Sequence, residues 1–237
     1  MALPVLTIPT YELEVPSTDE KIKYRPFLVK EEKILLIALE SGENKDIVQA
    51  VKDIVNECTF NKLNLGKMPM FDIEYVFLQI RAKSVGEVST LNLLCPDDGK
   101  TYAKVELDLT EVQVQVDEEH DSKIELTDEM GMIMTYPNID STIDIGVNVI
   151  NASNMLDIIS TCIAQIYDKK GEEVYDSKDS TKKELVEFIE QMNTKQFAEV
   201  QKFYDTMPKL KHEITVKNPK TKVENTMILT GLNDFFA

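Results

Sequence analysis

Tyr24-Arg25-Pro26-Phe27-Leu28-Val29-Lys30-Glu31-Glu32-Lys33 opens, and Met70-Phe71-Asp72-Ile73-Glu74-Tyr75-Val76-Phe77-Leu78-Gln79-Ile80-Arg81-Ala82-Lys83-Ser84-Val85-Gly86 closes, a segment with the spacing of three consecutive helices. Pro26 ends an extended lead-in. Beyond Lys33, Ile34, Leu35, Ala38 and Leu39 recur at three- and four-residue spacing, the period of a helix with one apolar face. Ser41-Gly42 stops that helix, because glycine enters the left-handed conformation that closes a C-terminus. A second helix follows, with Ile47, Val48, Val51, Ile54 and Val55 on one stripe, and two helices joined so tightly pack antiparallel. In the third, Ile73, Val76, Phe77 and Ile80 turn inward. Asp72 and Glu74 stand in its first turn and Arg81 and Lys83 in its last, as the helix dipole favours. The three helices read as scaffold, without chemistry of their own.

Upstream, Val5 to Pro16 alternates weakly, and Pro9 and Pro16 interrupt it, which suits an edge strand or an arm on a surface. Downstream of Gly86 the period changes to two. Val88–Leu94 and Tyr102–Leu109 flank the turn Cys95-Pro96-Asp97-Asp98-Gly99-Lys100 and read as a hairpin, which Val112, Val114 and Val116 extend toward a third strand. The carboxylates between Glu106 and Glu129 alternate with Val, Leu and Ile and so form a solvated face. Glu125–Gly131 reads as a strand end and a short helix capped by Thr127 or Asp128. A helix capped by Ser153 or Asn154 should carry Leu156, Ile159, Ile163 and Ile166 on one face. Then come a charged loop at Asp168–Glu173 and a helical hairpin, Thr181–Met192 and Lys195–Met207, with Thr194 as the second cap. A last hairpin, Lys211–Lys217 and Val223–Thr230, turns at Asn218-Pro219-Lys220-Thr221-Lys222 and leads to Leu232-Asn233-Asp234-Phe235-Phe236-Ala237. The fold class expected is α+β, a mainly helical core with two β-hairpin insertions of degenerate zinc-ribbon-like form. Its segments are 1–86 (arm and three helices), 87–126 (hairpin and acidic strand), 127–210 (helical) and 211–237 (hairpin and tail), within one compact domain bearing an insertion.

Composition narrows the function. The 237 residues can bury a core without staples, and the formal charge of -16 repels nucleic acid and anionic membrane. No apolar run approaches the roughly 20 residues of a membrane helix, and the first residues do not read as a signal peptide, so a cytosolic chain is expected. Cys58, Cys95 and Cys162 are odd in number, scattered and set in or beside apolar segments, as reduced core thiols are.

Catalytic signatures are missing: no glycine-rich phosphate loop, no nucleophile elbow, no H-E-x-x-H. His120 and His212 lie far from any triad arrangement and read as surface residues. Asp140, Ser141, Thr142 and Asp144 lack the ligand spacing of a calcium loop. A Cys-x-x-Cys-Gly turn would be half of a four-thiolate zinc site, but here Asp98 stands at the second thiolate position and the turn at Asn218 has no cysteine. No cofactor and no metal are expected, and the hairpin pair should be held by side-chain packing.

Tyr24-Arg25-Pro26-Phe27 with Lys30–Leu36, Phe71–Tyr75 with Arg81–Gly86, Tyr136-Pro137 and Gly231–Phe236 together resemble the baseplate hub subunit and hub-assembly family of T-even-type contractile-tailed bacteriophages. Members of that family often carry Cys-x-x-Cys in one or both hairpins, and this sequence departs there. The resemblance implies a non-enzymatic virion-assembly protein, working in the infected host cytoplasm, that helps form the central hub of the tail baseplate. It would act as a hub component or as an assembly chaperone absent from the finished particle; a degenerate zinc-ribbon binding module and a metal-dependent hydrolase using Asp140 and Asp144 are the competing readings. Partners would be hub or tape-measure proteins, with homo-oligomerisation open. The residues expected at partner contacts are Arg25, Phe27, Arg81, Lys83, Phe235 and Phe236. The aromatic end is otherwise expected to dock on its own fold, since exposed Phe pairs invite association.

Overall fold

The computed structural model describes residues 6–141, 154–170 and 173–235. Its backbone contacts group the chain into two units, Met1–Gln115 with Lys209–Ala237, and Val116–Pro208. The segment 87–126 is thus shared between the units.

The first unit opens with a hairpin: β1 (Tyr11–Glu14) pairs antiparallel with β2 (Lys21–Tyr24), Tyr11 opposite Tyr24. The proline-flanked segment is therefore one strand of a local ribbon. Helices α1 (Val29–Ser41), α2 (Asn44–Cys58) and α3 (Met70–Val85) follow, with Gly42 left-handed at φ 69° where α1 ends. Ile54, Val55, Ile73, Val76, Phe77 and Ile80 are buried as their spacing requires. In α1 the outcome differs. Ala38 is buried and Leu35 half-buried, but Ile34 and Leu39 stand exposed, because α2 covers only one side of this helix. β3 (Val88–Leu94) and β4 (Tyr102–Asp108) then form the expected hairpin in continuous register. β5 (Gln113–Gln115) does not extend it: Leu109, which opens a short 3₁₀ turn, and Val112, which follows it, are drawn into the core, and the strand is diverted to another sheet.

The second unit is built on a four-stranded antiparallel sheet in the order β6 (Lys123–Glu125), β7 (Met130–Met134), β8 (Ile163–Asp168), β9 (Val174–Asp176). Two helical expectations fail here. The polar stretch Thr127–Glu129 is a turn in which the Thr127 hydroxyl accepts the Glu129 and Met130 amides, and Met130 begins a strand. The helix α4 (Met155–Cys162) stops at Cys162, and Ile163 and Ile166 belong to β8, where β-branched side chains pack well on the pleat. Their three-residue spacing mimicked a helix. Gly131 is needed for close packing, since a β-carbon there would lie 2.4 Å from the Tyr167 hydroxyl. Helices α5 (Lys182–Glu190) and α6 (Thr194–Thr206) form the expected hairpin, each opened by a capping box; the second cap is Asn193 rather than Thr194. Leu185, Ile189, Val200 and Phe203 share a core with Met132, Ile159, Cys162 and Ile163.

The chain then returns to the first unit. β10 (Lys209–Lys217) lies between β5 and β11 (Glu224–Thr230), and α7 (Gly231–Asp234) ends the helical elements. The two hairpins meet in one core of Leu78, Leu91, Leu93, Cys95, Leu107, Val216, Leu229 and Phe235. The architecture is mixed helix and sheet, α+β.

Candidate functional site

The two hairpin turns of the first unit are joined by a dense hydrogen-bond network. Cys95-Pro96-Asp97-Asp98-Gly99 and Asn218-Pro219-Lys220-Thr221-Lys222 have the same backbone course: the first residue's carbonyl accepts the amide four residues on, at 3.0 Å in each turn. That fifth residue is left-handed in both, Gly99 at φ 61° and Lys222 at φ 67°. Lysine tolerates this conformation less readily than glycine, and here its ammonium also donates to the Pro219 carbonyl. Asp97 joins the turns. One carboxylate oxygen accepts the side-chain amides of Asn218 (2.8 Å) and Asn225 (3.1 Å), the other accepts the Thr221 hydroxyl, and the Asp97 backbone amide donates to the Asn225 side-chain Oδ1. These donors, led by Thr221 and Asn218, hold the Asp97 carboxyl below its ordinary range. Asp98 turns back on its own loop, accepting Thr101 and Lys100, and is held lower for that reason.

This corrects the expectation of packing alone: a carboxylate network bridges the turns above a packed core. The donor set does not suit zinc. Only Cys95 supplies sulfur, its thiol is raised first by burial, and the Asn218 side chain already serves Asp97 and two backbone amides. Among the described residues no group of three or more His, Cys, Asp or Glu is placed to hold a metal ion. Asp140 is described; Thr142 and Asp144 lie outside the described residues.

A second polar centre anchors α1. The Arg25 guanidinium donates to the Glu31 carboxylate at 2.9 Å and to the Pro26 carbonyl at 3.0 Å, and the other Glu31 oxygen takes the Leu28 amide at 2.7 Å. Both side chains are buried. Burial pushes Glu31 up, but Arg25, the Leu28 amide and Lys30 outweigh it and hold the carboxyl below its usual value. Cys58, beside Arg25, is pushed up to about 11, chiefly by burial. Phe27 is buried too, its amide held by the Ser84 hydroxyl. At the far end of the unit, Asp72 is fully buried and accepts both the amide and the hydroxyl of Ser17, which ties the β1–β2 turn to the start of α3.

Residues 8–237 match the family described as T4 bacteriophage base plate protein. The chain belongs to that family. Among curated proteins and among solved structures there is no match.

In this base plate family member, the residues expected at partner contacts are dispersed. Arg25 and Phe27 are interior: the Arg25 guanidinium holds Glu31 of α1, and the Phe27 backbone amide donates to Ser84 of α3. Lys83, half-buried, pairs with Glu87 and lies 5.4 Å from the Tyr11 ring centre, while burial lowers Arg81. Phe235 is wholly buried in the core, and Phe236 lies outside the described residues. Of the histidines, His120 is half-buried, with Thr206 and the Tyr136 hydroxyl each 3.0 Å from a ring nitrogen and the Phe203 ring alongside. It is therefore a packing residue of the second unit, lowered by burial against the opposing pull of Asp121 and Asp117. Sequence reasoning missed Asn218 and Asn225, yet a signal existed: both turns place a proline second and a carboxylate or hydroxyl fourth.

Proposed function

We propose that this chain is a non-enzymatic structural protein that helps build the central hub of the phage tail baseplate by protein–protein contact. The observation that carries the reading is the family match across residues 8–237. Three features support it. The polar cluster around Asp97 is hydrogen-bonded internally and ties two turns together rather than presenting reactive groups. The three thiols are buried and unoxidised, so none is exposed as a nucleophile. Exposed apolar side chains are concentrated on α1, as at a contact surface. Hub and tape-measure proteins of the same tail are the partners this reading names, in the host cytoplasm during assembly. The two hairpins act as a hydrogen-bonded counterpart of a paired zinc ribbon, a rigid mount for the β5–β10–β11 sheet.

Co-expression of the tagged chain with the tail proteins, with mass spectrometry of what is retained and of purified particles, tests the proposal. Retention of hub proteins together with presence in particles is expected for a subunit. Retention without presence in particles identifies an assembly chaperone, and retention of no tail protein overturns the reading.

A further inference from the structure

We infer that α1 is covered by α1 of a second copy of this chain, packed antiparallel about a twofold axis beside Leu36 and Ile37. A helix apolar on nearly every side belongs in an interior. Yet α1 buries only Glu31 and Ala38, which lie on one line facing α2, while Val29 is 80% exposed, Leu36 53% and Ile37 56%, with Ile34 and Leu39 also open. On the side opposite Ala38, Val29, Leu36 and Ile37 present apolar surface on the order of 350 Å², with Ile34 and Leu39 on its flanks, an area that suits a small interface below the roughly 800 Å² per partner of a standard one. An exposed apolar row on one helix face, rimmed by charges, is the kind of surface that marks a protein contact.

The charges on the same face select the occupant. Val29, Lys33, Leu36 and Glu40 are spaced four, three and four apart and therefore form one row on the side of α1 opposite Ala38, with Ile37 at its edge. Lys33 and Glu40, both exposed, stand at equal distances from the midpoint between Leu36 and Ile37, one toward each end. Under a twofold axis through that midpoint, Lys33 of each copy meets Glu40 of the other, and Leu36 packs on Ile37. A face that carries cation and anion in this mirrored order is its own complement, which is the requirement of an isologous interface. Antiparallel pairing also sets opposed helix dipoles side by side. The net charge of -16 acts against association at long range but is screened beyond about 8 Å at physiological ionic strength. The inference does not rest on the hub reading, since a dimer would form with no other tail protein present.

Light scattering and sedimentation of the purified full chain across a concentration series test it. The expected result is a reversible dimer that Leu36→Glu weakens tenfold or more while circular dichroism stays unchanged. Lys33→Glu and Glu40→Lys should each weaken it severalfold, and the double variant Lys33→Glu/Glu40→Lys should recover it. Mixing the two single variants should give a heterodimer tighter than either homodimer, an outcome that misfolding cannot imitate. A chain monomeric at every concentration, a dimer indifferent to Leu36→Glu, or a double variant no better than the singles would overturn the pairing. So would a crosslinker placed at position 36 that joins α1 only to a different tail protein.

Discussion

Helices α1 and α3 are nearly the same kind of sequence and meet opposite fates. Both are rich in Leu, Ile and Val around most of their circumference. α3 is enclosed, with Phe71, Ile73, Val76, Phe77, Leu78, Ile80 and Ala82 all buried, whereas α1 buries one alanine and one glutamate. The difference teaches that an all-round apolar helix announces burial without saying which chain supplies the cover. For α3 the cover is its own chain, the hairpin strands and α7 included. For α1, among the described residues, the chain supplies α2 on one side, and Ile34, Leu36, Ile37 and Leu39 stay exposed.

The comparison can be broken most severely at α3. Phe77→Ala removes a fully buried ring and should cost roughly 3–5 kcal/mol, read as a shifted midpoint in urea. Next comes the charge that anchors α1: Glu31→Ala leaves Arg25 buried without its carboxylate and should cost about 3 kcal/mol, measured in the same way. If that variant matched the wild type, α1 would not be held by the pair.

The remaining expectations are smaller and sharpen the contrast through pH. Burial raises the Glu74 carboxyl in α3 to about 7, against a hydrogen bond from the Leu232 amide. A carboxyl raised on folding stabilises at low pH, and that contribution is lost as pH rises from its ordinary 4.5 through about 7. Glu74→Gln should therefore raise Tm at pH 8 and leave it unchanged near pH 5. Asp97 has the opposite sign. Its carboxyl is depressed, so its contribution is present above the ordinary value of 3.8 and lost as pH falls below it. Asp97→Ala should lower Tm at neutral pH and flatten the acid limb of the melting profile. Smallest of all, Leu36→Ala should change monomer stability by less than about 0.5 kcal/mol, because its side chain is open in the single chain.

Much of the fold was legible where one residue's spacing had a single physical meaning. The burial of Ile54, Val76 and Ile80, the left-handed Gly42, and the register of β3 with β4 follow from period and turn chemistry. Ile163 and Ile166 misled because the pairing with β7 skips Ala164, a bulge in β8 that lets a three-residue spacing bury both from a strand. The candidate site was less legible. Arg25 and Phe27 looked available because a motif does not reveal depth, and Asp97 looked like a turn residue because its partners, Asn218 and Asn225, lie more than 120 positions away.

Residue identity and local spacing alone were enough for the three N-terminal helices, the two long hairpins, the acidic charge and the kinship with phage baseplate proteins. Only the tertiary structure decided that β5 joins β10, that Asp97 locks two distant turns, and that α1 stays open while α3 closes. Those outcomes depend on which distant surfaces meet, and burial and hydrogen-bond satisfaction are properties of the meeting, not of the segment.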